Sequence, residues 1–207
     1  MKAFRRLLVA SYNQGKLREL RELLCEIPLR ITNLDDLPNL QPVPETGSTF
    51  AENASLKAAG YAKQTHLLTI ADDSGLEVKA LGGRPGVFSA RYAGADASDE
   101  QRTQKLLSEM ASLSAEQRSA QFCCWVAVAD EGGEIIHTSS GVCEGQIAIA
   151  PRGSSGFGYD PIFIPDAFQQ TFGELKPQIK NQISHRARAL VGARDFLRSL
   201  TASSNAG

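Results

Sequence analysis

Two adjacent carboxylates, Asp72 and Asp73, directly follow the apolar run Leu67–Ala71, and a third acid, Glu45, stands upstream beside Thr46 and Gly47. The carboxyl ends of strands are where open α/β sheets place their ligands. Hard carboxylate oxygens suit Mg2+, which takes one or two acids together with waters and substrate phosphates. Neighbouring strand residues point to opposite sides, so one of the two aspartates is expected to face a ligand. The ordinary alternative is a turn that ends the strand, Asp-Ser-Gly through Ser74 and Gly75, with its acids capping nearby N–H groups.

Three further segments carry polar chemistry. Ser11-Tyr12-Asn13-Gln14-Gly15-Lys16 lies where a strand gives way to a helix. Backbone N–H groups and the helix dipole make such a junction a phosphate cradle, to which Ser11 and Asn13 add hydrogen bonds and Lys16 a charge. The GxxxxGK[ST] spacing of a Walker A loop is absent, and an Asn/Gly turn with a solvated lysine accounts for these residues equally well. Gly153 to Pro161 sets Gly153, Gly156 and Gly158 around Phe157, Tyr159 and Asp160. Such a loop lets backbone approach a flat ligand on which rings can stack, or else is simply anchored to the core by its aromatics. Lys180, His185 and Arg186 crowd near the start of a helix that Ser184 can cap. Positive charge there opposes the helix dipole, a conflict that a bound anion relieves. A solvated basic turn explains the lysine and arginine but not their placement.

The elements that must hold these residues are legible in outline. Leu7 to Ala10 reads as a short buried strand, and Leu17, Leu20, Leu23, Leu24 and Ile27 recur at helical spacing. Leu29 to Ile31 is a second strand, followed by a Pro-, Asp- and Asn-rich loop over 32–48. Thr49 and Glu52 have the spacing of a capping box that opens a helix to about Lys63. Leu67 to Ala71 is a third strand, with Leu76 to Val78 extended beyond it. Ser98 to Gln101 opens a helix to about Met110. Phe122 to Ala129 and Glu134 to Ile149 flank Asp130–Gly133 as a β-hairpin, and Ser184 to Leu200 forms a final amphipathic helix. The small polar tail from Thr201 to Gly207 is expected to fray. Alternation of strands and helices predicts an α/β fold with a mixed, strongly twisted sheet and flanking helices, one domain over residues 1–200. The hairpin could carry a second lobe, with a cleft between lobes as the site.

Bulk properties narrow the function. Formal net charge is −1 with no basic tail, which argues against a partner as anionic as polymeric nucleic acid but leaves room for one nucleotide. Lys2, Arg5 and Arg6 are followed by only four apolar residues, too few for an export segment, and no run approaches the length of a membrane span. Cys25, Cys123, Cys124 and Cys143 form no CxxC pair and the three histidines are scattered, so reduced thiols and a cytoplasmic location are expected rather than a zinc site.

In order along the chain stand Ser11 to Lys16, Glu45 to Ala54 (ETGSTFAENA), Ala71 to Leu76 (ADDSGL), Pro85 to Gly94 (PGVFSARYAG), Phe157 to Pro161 (FGYDP) and Ile183 to Arg186 (ISHR). With these pieces in this order the chain resembles the inosine triphosphate pyrophosphatase family over nearly its whole length. The one departure is Tyr12, where many members have glycine. The resemblance implies an elongated α/β fold with a central cleft, Mg2+ dependence and a homodimer. It implies hydrolysis of non-standard purine nucleoside triphosphates (ITP, dITP, XTP) to the monophosphate and pyrophosphate. It further implies that Ser11, Tyr12, Asn13, Gln14, Gly15 and Lys16 hold the triphosphate, and that Glu45 and Asp73 serve the metal, with Asp73 as general base. Ser74, Phe157, Gly158, Tyr159, Asp160, Lys180, His185 and Arg186 would contact the nucleotide. In this reading Lys16 and Lys180 neutralise phosphate charge alongside Mg2+. The rival functions are a related triphosphatase acting on dTTP or UTP, and a nucleotide-binding regulator without turnover.

Overall fold

The computed structural model describes residues 6–203; the basic start at Lys2 and Arg5 and the tail beyond Ser203 lie outside them. Six strands form one sheet in the order β2-β1-β3-β4-β5-β6: β1 (Arg6–Val9), β2 (Arg30–Asn33), β3 (Leu68–Val78), β4 (Ser119–Ala129), β5 (Ile135–Ile147) and β6 (Phe163–Pro165). The sheet is mixed, since β1 runs parallel to β2 and β3 while β5 and β6 are antiparallel. The helices are α1 (Gln14–Leu24), α2 (Phe50–Thr65), α3 (Asp99–Glu109), α4 (Pro177–Ile183) and α5 (His185–Ser203). The expected α/β class, mixed sheet and hairpin are borne out. The hairpin closes where the Asp130 carboxylate accepts the Gly132 and Glu134 N–H groups.

Among the described residues the chain divides into two compact units, the first comprising residues 6–73, 124–140 and 189–203, the second residues 74–123 and 141–188. In the first, strand alternation sorts the core. Leu7 and Val9 of β1 pack with Leu17, Leu20 and Leu24 of α1 and with Ala189, Leu190, Ala193 and Leu197 of α5. Leu8 and Ala10 face the other way, onto Ala54, Ala58 and Ala62 of α2. The alanines of α2 meet Ala71, Ala127 and Ala129, and such small residues let helix and sheet approach closely. The second unit has its own core, in which Leu76, Val78, Leu106, Met110, Phe122, Phe163 and Phe172 are all buried. The Phe122 and Phe163 rings meet at 4.7 Å, tilted by 63°.

Local signals hold where side chains cap backbone. Thr49 Oγ1 accepts the Glu52 N–H, and the Glu52 carboxylate accepts the Thr49 N–H in return, as the capping-box spacing requires. Ser98 and Gln101 do the same for α3. Two elements escaped the sequence pattern, β6 and α4. Both are short, and α4 shows only Pro177 in its first turn and Ile179 and Ile183 one turn apart. The third strand differs most. The sequence pattern places a strand at Leu67–Ala71 and a separate extended stretch at Leu76–Val78, yet β3 runs unbroken from Leu68 through Asp72, Asp73, Ser74 and Gly75 to Val78. The last helix reaches Ser203, so Thr201 closes a helical turn rather than starting a tail.

Gly145 of β5 lies opposite Pro165 of β6, and a Cβ there would run into the Ile164 carbonyl and come within 2.8 Å of Phe163 Cζ. Overpacking of this kind costs about 1–3 kcal/mol. Gly145→Ala is therefore expected to lower the urea midpoint without altering the m-value, and an unchanged midpoint would show that β6 yields freely.

Candidate functional site

The polar cluster of the first unit forms around β3. Asn13 is the N-cap of α1, its Oδ1 accepting the Lys16 N–H at 3.0 Å, and Ser11 Oγ accepts the Asn13 N–H at 3.2 Å. These two side chains shape the strand-to-helix junction from inside, leaving the positive end of the α1 dipole at Gln14 and Gly15. Gln14 reaches sideways to Asp35 Oδ2 at 3.2 Å. Tyr12 is not among the residues with positive φ, so the turn does not need a glycine there. Its ring is half exposed and meets Tyr61 edge-on.

From the first turn of α1, Lys16 Nζ lies 3.1 Å from Asp72 Oδ2. From α2, Lys57 Nζ lies 3.1 Å from Asp73 Oδ1 and 2.9 Å from Glu45 Oε2. Adjacent aspartates on opposite sides of a strand thus engage different lysines. Two ammonium groups meeting buried acids explain why β3 does not break there, since a charge is tolerated in a strand interior when a partner meets it. Burial pushes the Glu45 carboxyl up, but the Lys57 ammonium, with Lys16 behind it, outweighs this and holds it below its ordinary value. For Asp73 burial prevails over Lys57 and Lys16, and the Glu45 charge adds to it, so its carboxyl lies above the ordinary range. Burial alone would lower the Lys57 ammonium, but Asp73, Glu45 and Asp72 together raise it.

Lys57 was not anticipated. Its signal was position: on α2 it falls on the stripe of Phe50, Ala54, Ala58 and Tyr61, where a lysine has no reason to be unless an acid awaits it. Among the described residues no group of three or more histidine, cysteine or acidic side chains is arranged to hold a metal by itself. Glu45 and Asp73 are two hard oxygen donors converging on one cation, the donor set that suits Mg2+ when phosphates complete its shell.

The second unit gathers the remaining residues. Asp160 and Lys180 form an ion pair with side chains only 3% and 6% exposed. Lys180 Nζ sits 4.9 Å from the Phe157 ring centroid and 5.4 Å from that of Phe172. Lys180 belongs to α4, not to the start of α5, and its charge is matched by Asp160 rather than crowding a helix terminus. Asp160 Oδ2 also accepts the Phe157 N–H at 2.8 Å. Gly156, at φ +77°, lies so close to this carboxylate that any Cβ would collide with it. Tyr159 points into the core, its hydroxyl donating to the Ser89 carbonyl at 2.9 Å, and burial raises its pKa. Gly158 donates its N–H to Asp99 Oδ2, a contact the sequence did not disclose.

Ser184 Oγ accepts the Ala187 N–H and so caps α5 as expected. His185 is buried, its ring stacked on Phe122 at 4.6 Å and 11°. Arg186 is 1% exposed, donates from Nη2 to Ser74 Oγ at 2.9 Å, and carries its guanidinium 5.7 Å from the Phe157 centroid. Ser74, Phe157, Lys180 and Arg186 therefore come together, while Tyr159 turns to the Ser89 carbonyl and His185 to the Phe122 ring. Ser74 follows Asp73 on β3, so consecutive residues of one strand serve the two polar sets.

Comparison with known proteins identifies the family. The Ham1 family model matches residues 7–196. A dITP/XTP pyrophosphatase of Geobacter sulfurreducens is 48% identical over 192 residues, 93% of this chain and 96% of that protein. One from Geobacillus kaustophilus is 50% identical over 89% of this chain and 90% of that protein. The structure of a HAM1 protein from Coxiella burnetii superposes with a TM-score of 0.83 at 44% identity, covering 95% of this chain and 100% of that one. The resemblance drawn from the ordered motifs is borne out, and the chain belongs to the Ham1 family.

Proposed function

We propose that this protein hydrolyses non-canonical purine nucleoside triphosphates (dITP, ITP and XTP) to the monophosphate and pyrophosphate. The observation that carries the reading is the cluster in which Lys57 bridges Glu45 and Asp73 while Lys16 meets Asp72. Three carboxylates against two lysines leave one negative charge in excess, and a triphosphate adds several more. A cluster of this balance calls for a divalent cation when substrate arrives, and Glu45 and Asp73 are the residues that would hold Mg2+. The chemistry such an ion supplies there is neutralisation of the phosphate oxygens. Asp73, the general base that the family resemblance implies, takes the proton of a water attacking the α-phosphorus. The bond to the β-phosphate oxygen breaks, and pyrophosphate leaves as one unit. Lys16 and the α1 terminus supply positive potential to the phosphates. Phe157 offers a stacking face for any purine, and Arg186 offers donors to a 6-keto group. Free thiols at all four cysteines accord with a cytoplasmic location. No helix among the described residues is long and apolar enough to cross a membrane.

Asp73→Asn is nearly isosteric and is expected to fold while losing at least about a hundredfold in kcat. Glu45→Gln is expected chiefly to raise the Mg2+ concentration needed for half-maximal rate. Near-wild-type kcat in the first, or an unchanged Mg2+ titration in the second, would remove that residue from its assigned role.

Release of phosphate after coupling to inorganic pyrophosphatase, measured over a nucleotide panel, tests the substrate. Adenine presents an amino donor and a bare N1 where hypoxanthine and xanthine present a keto acceptor and an N1–H. A site built for the keto edge can reject adenine by about 10⁴-fold. Guanine shares the keto group, so its exclusion falls on the 2-amino position. Efficiency on dITP and XTP is expected to far exceed that on ATP, GTP, dTTP or UTP, and Arg186→Ala to narrow the gap to ATP. A preference for dTTP or UTP, or no turnover at all, would overturn the reading. Equal losses on ITP and ATP would move Arg186 away from the base.

A homodimer follows from the family resemblance, and light scattering checks it. A single species near the chain mass of 22.3 kDa would refute it.

A further inference from the structure

Phe157 can serve as a stacking platform only if its Cα–Cβ bond points in a fixed direction, and a glycine-flanked loop does not provide that by itself. Gly156 and Gly158, both at positive φ, stand on either side of it. The peptide plane before Phe157 is held through its own N–H, which donates to Asp160 Oδ2. The plane after it is held through the Gly158 N–H, which donates to Asp99 Oδ2 at 2.6 Å. Two carboxylates on opposite sides of one Cα thus fix both flanking planes. Asp160 is itself ion-paired and buried, as described above. Asp99 comes from the first turn of α3, far away in sequence, and lies outside every motif that carries the family resemblance.

Asp99 is also oriented. Arg102, one turn along α3, forms an ion pair with Asp99 Oδ1, leaving Oδ2 for Gly158. The Arg102 guanidinium is fixed in turn by the Ala90 and Ala97 carbonyls at 2.8 and 2.7 Å. The segment bearing Ala90 is tied to the loop a second time, through Tyr159 and the Ser89 carbonyl. Ser89 Oγ accepts the Leu76 N–H at 2.9 Å, two residues from Ser74. The 86–102 region is therefore a brace with one end on the Phe157 loop and the other on β3.

We propose that Asp99, steered by Arg102, is a positioning residue that fixes the direction in which the Phe157 ring projects and thereby the affinity for the purine base. It acts through Phe157 and touches neither phosphate nor attacking water. The inference rests on the proposed pyrophosphatase reading, so its effect belongs in KM for nucleotides and not in the chemical step.

The test compares wild type, Asp99→Ala and Asp99→Asn with dITP as substrate and inorganic tripolyphosphate as a base-free competitive inhibitor. Asp99→Ala is expected to raise KM about tenfold, the size of one lost charge-assisted hydrogen bond, with kcat within about twofold. Asp99→Asn keeps an acceptor oxygen and is expected to recover most of that loss, and it also serves if the alanine variant folds poorly. The inhibition constant for tripolyphosphate should be the same in all three. An unchanged KM in Asp99→Ala, or an inhibition constant rising in step with KM, would overturn the inference while wild type remains active on dITP. A wild-type protein inactive on dITP would overturn the proposed function, and this inference with it.

Discussion

Carboxylates in the middle of a sheet are costly unless cations meet them, and β3 carries two in succession. Lys16 and Lys57 meet them from two different helices, so one electrostatic requirement fixes how α1 and α2 are anchored to the strand. The apolar faces of those helices are non-directional and would accept small rotations; the ion pairs would not. Glu45, delivered by the loop before α2, is drawn into the same arrangement through Lys57. Because the strand survives its charges, it continues to Ser74 and Val78 and carries residues of both polar sets on one uninterrupted backbone.

The two sets rely on different physics. Around Asp73 the design is charge against charge, with an acid held high by burial and a neighbouring acid held low by its lysine. Around Phe157 it is shape and polarisable surface, with cations lying over aromatic faces and carboxylates holding backbone N–H groups.

Much of this was legible from sequence where local rules operate. The capping boxes at Thr49 and Ser98, the hairpin at Asp130 and the N-cap at Ser184 are encoded within four residues of each other, and they hold. Four of the six strands, β1, β2, β4 and β5, stand near the limits that apolar runs and the hairpin signal predict. What stayed hidden depends on partners distant in the chain. Asp72 and Asp73 looked like a strand end because nothing nearby announces Lys57, fifteen or more residues upstream on a helix. Lys180 looked like a basic turn because Asp160 lies in another loop. Asp99 is an acid in the first turn of α3, favourable to the dipole, and nothing near it in the sequence indicates that it also reaches Gly158. The alternation of Leu7, Leu8, Val9 and Ala10 between two cores could be read as burial, though not which helix each side would meet.

The Asp160–Lys180 pair, enclosed by Phe157 and Phe172, constrains how this sequence can drift. Loss of either member alone removes the opposite charge from a nearly dry setting, a change that costs several kcal/mol relative to the full pair. The two positions are therefore coupled in inheritance: a lineage can exchange both, but the path between passes through a poorly folded ancestor. Because Asp160 also holds the Phe157 amide, a neutral replacement pair would have to supply an acceptor at the same point. Few residue combinations satisfy both conditions, so these two sites are expected to vary together or not at all.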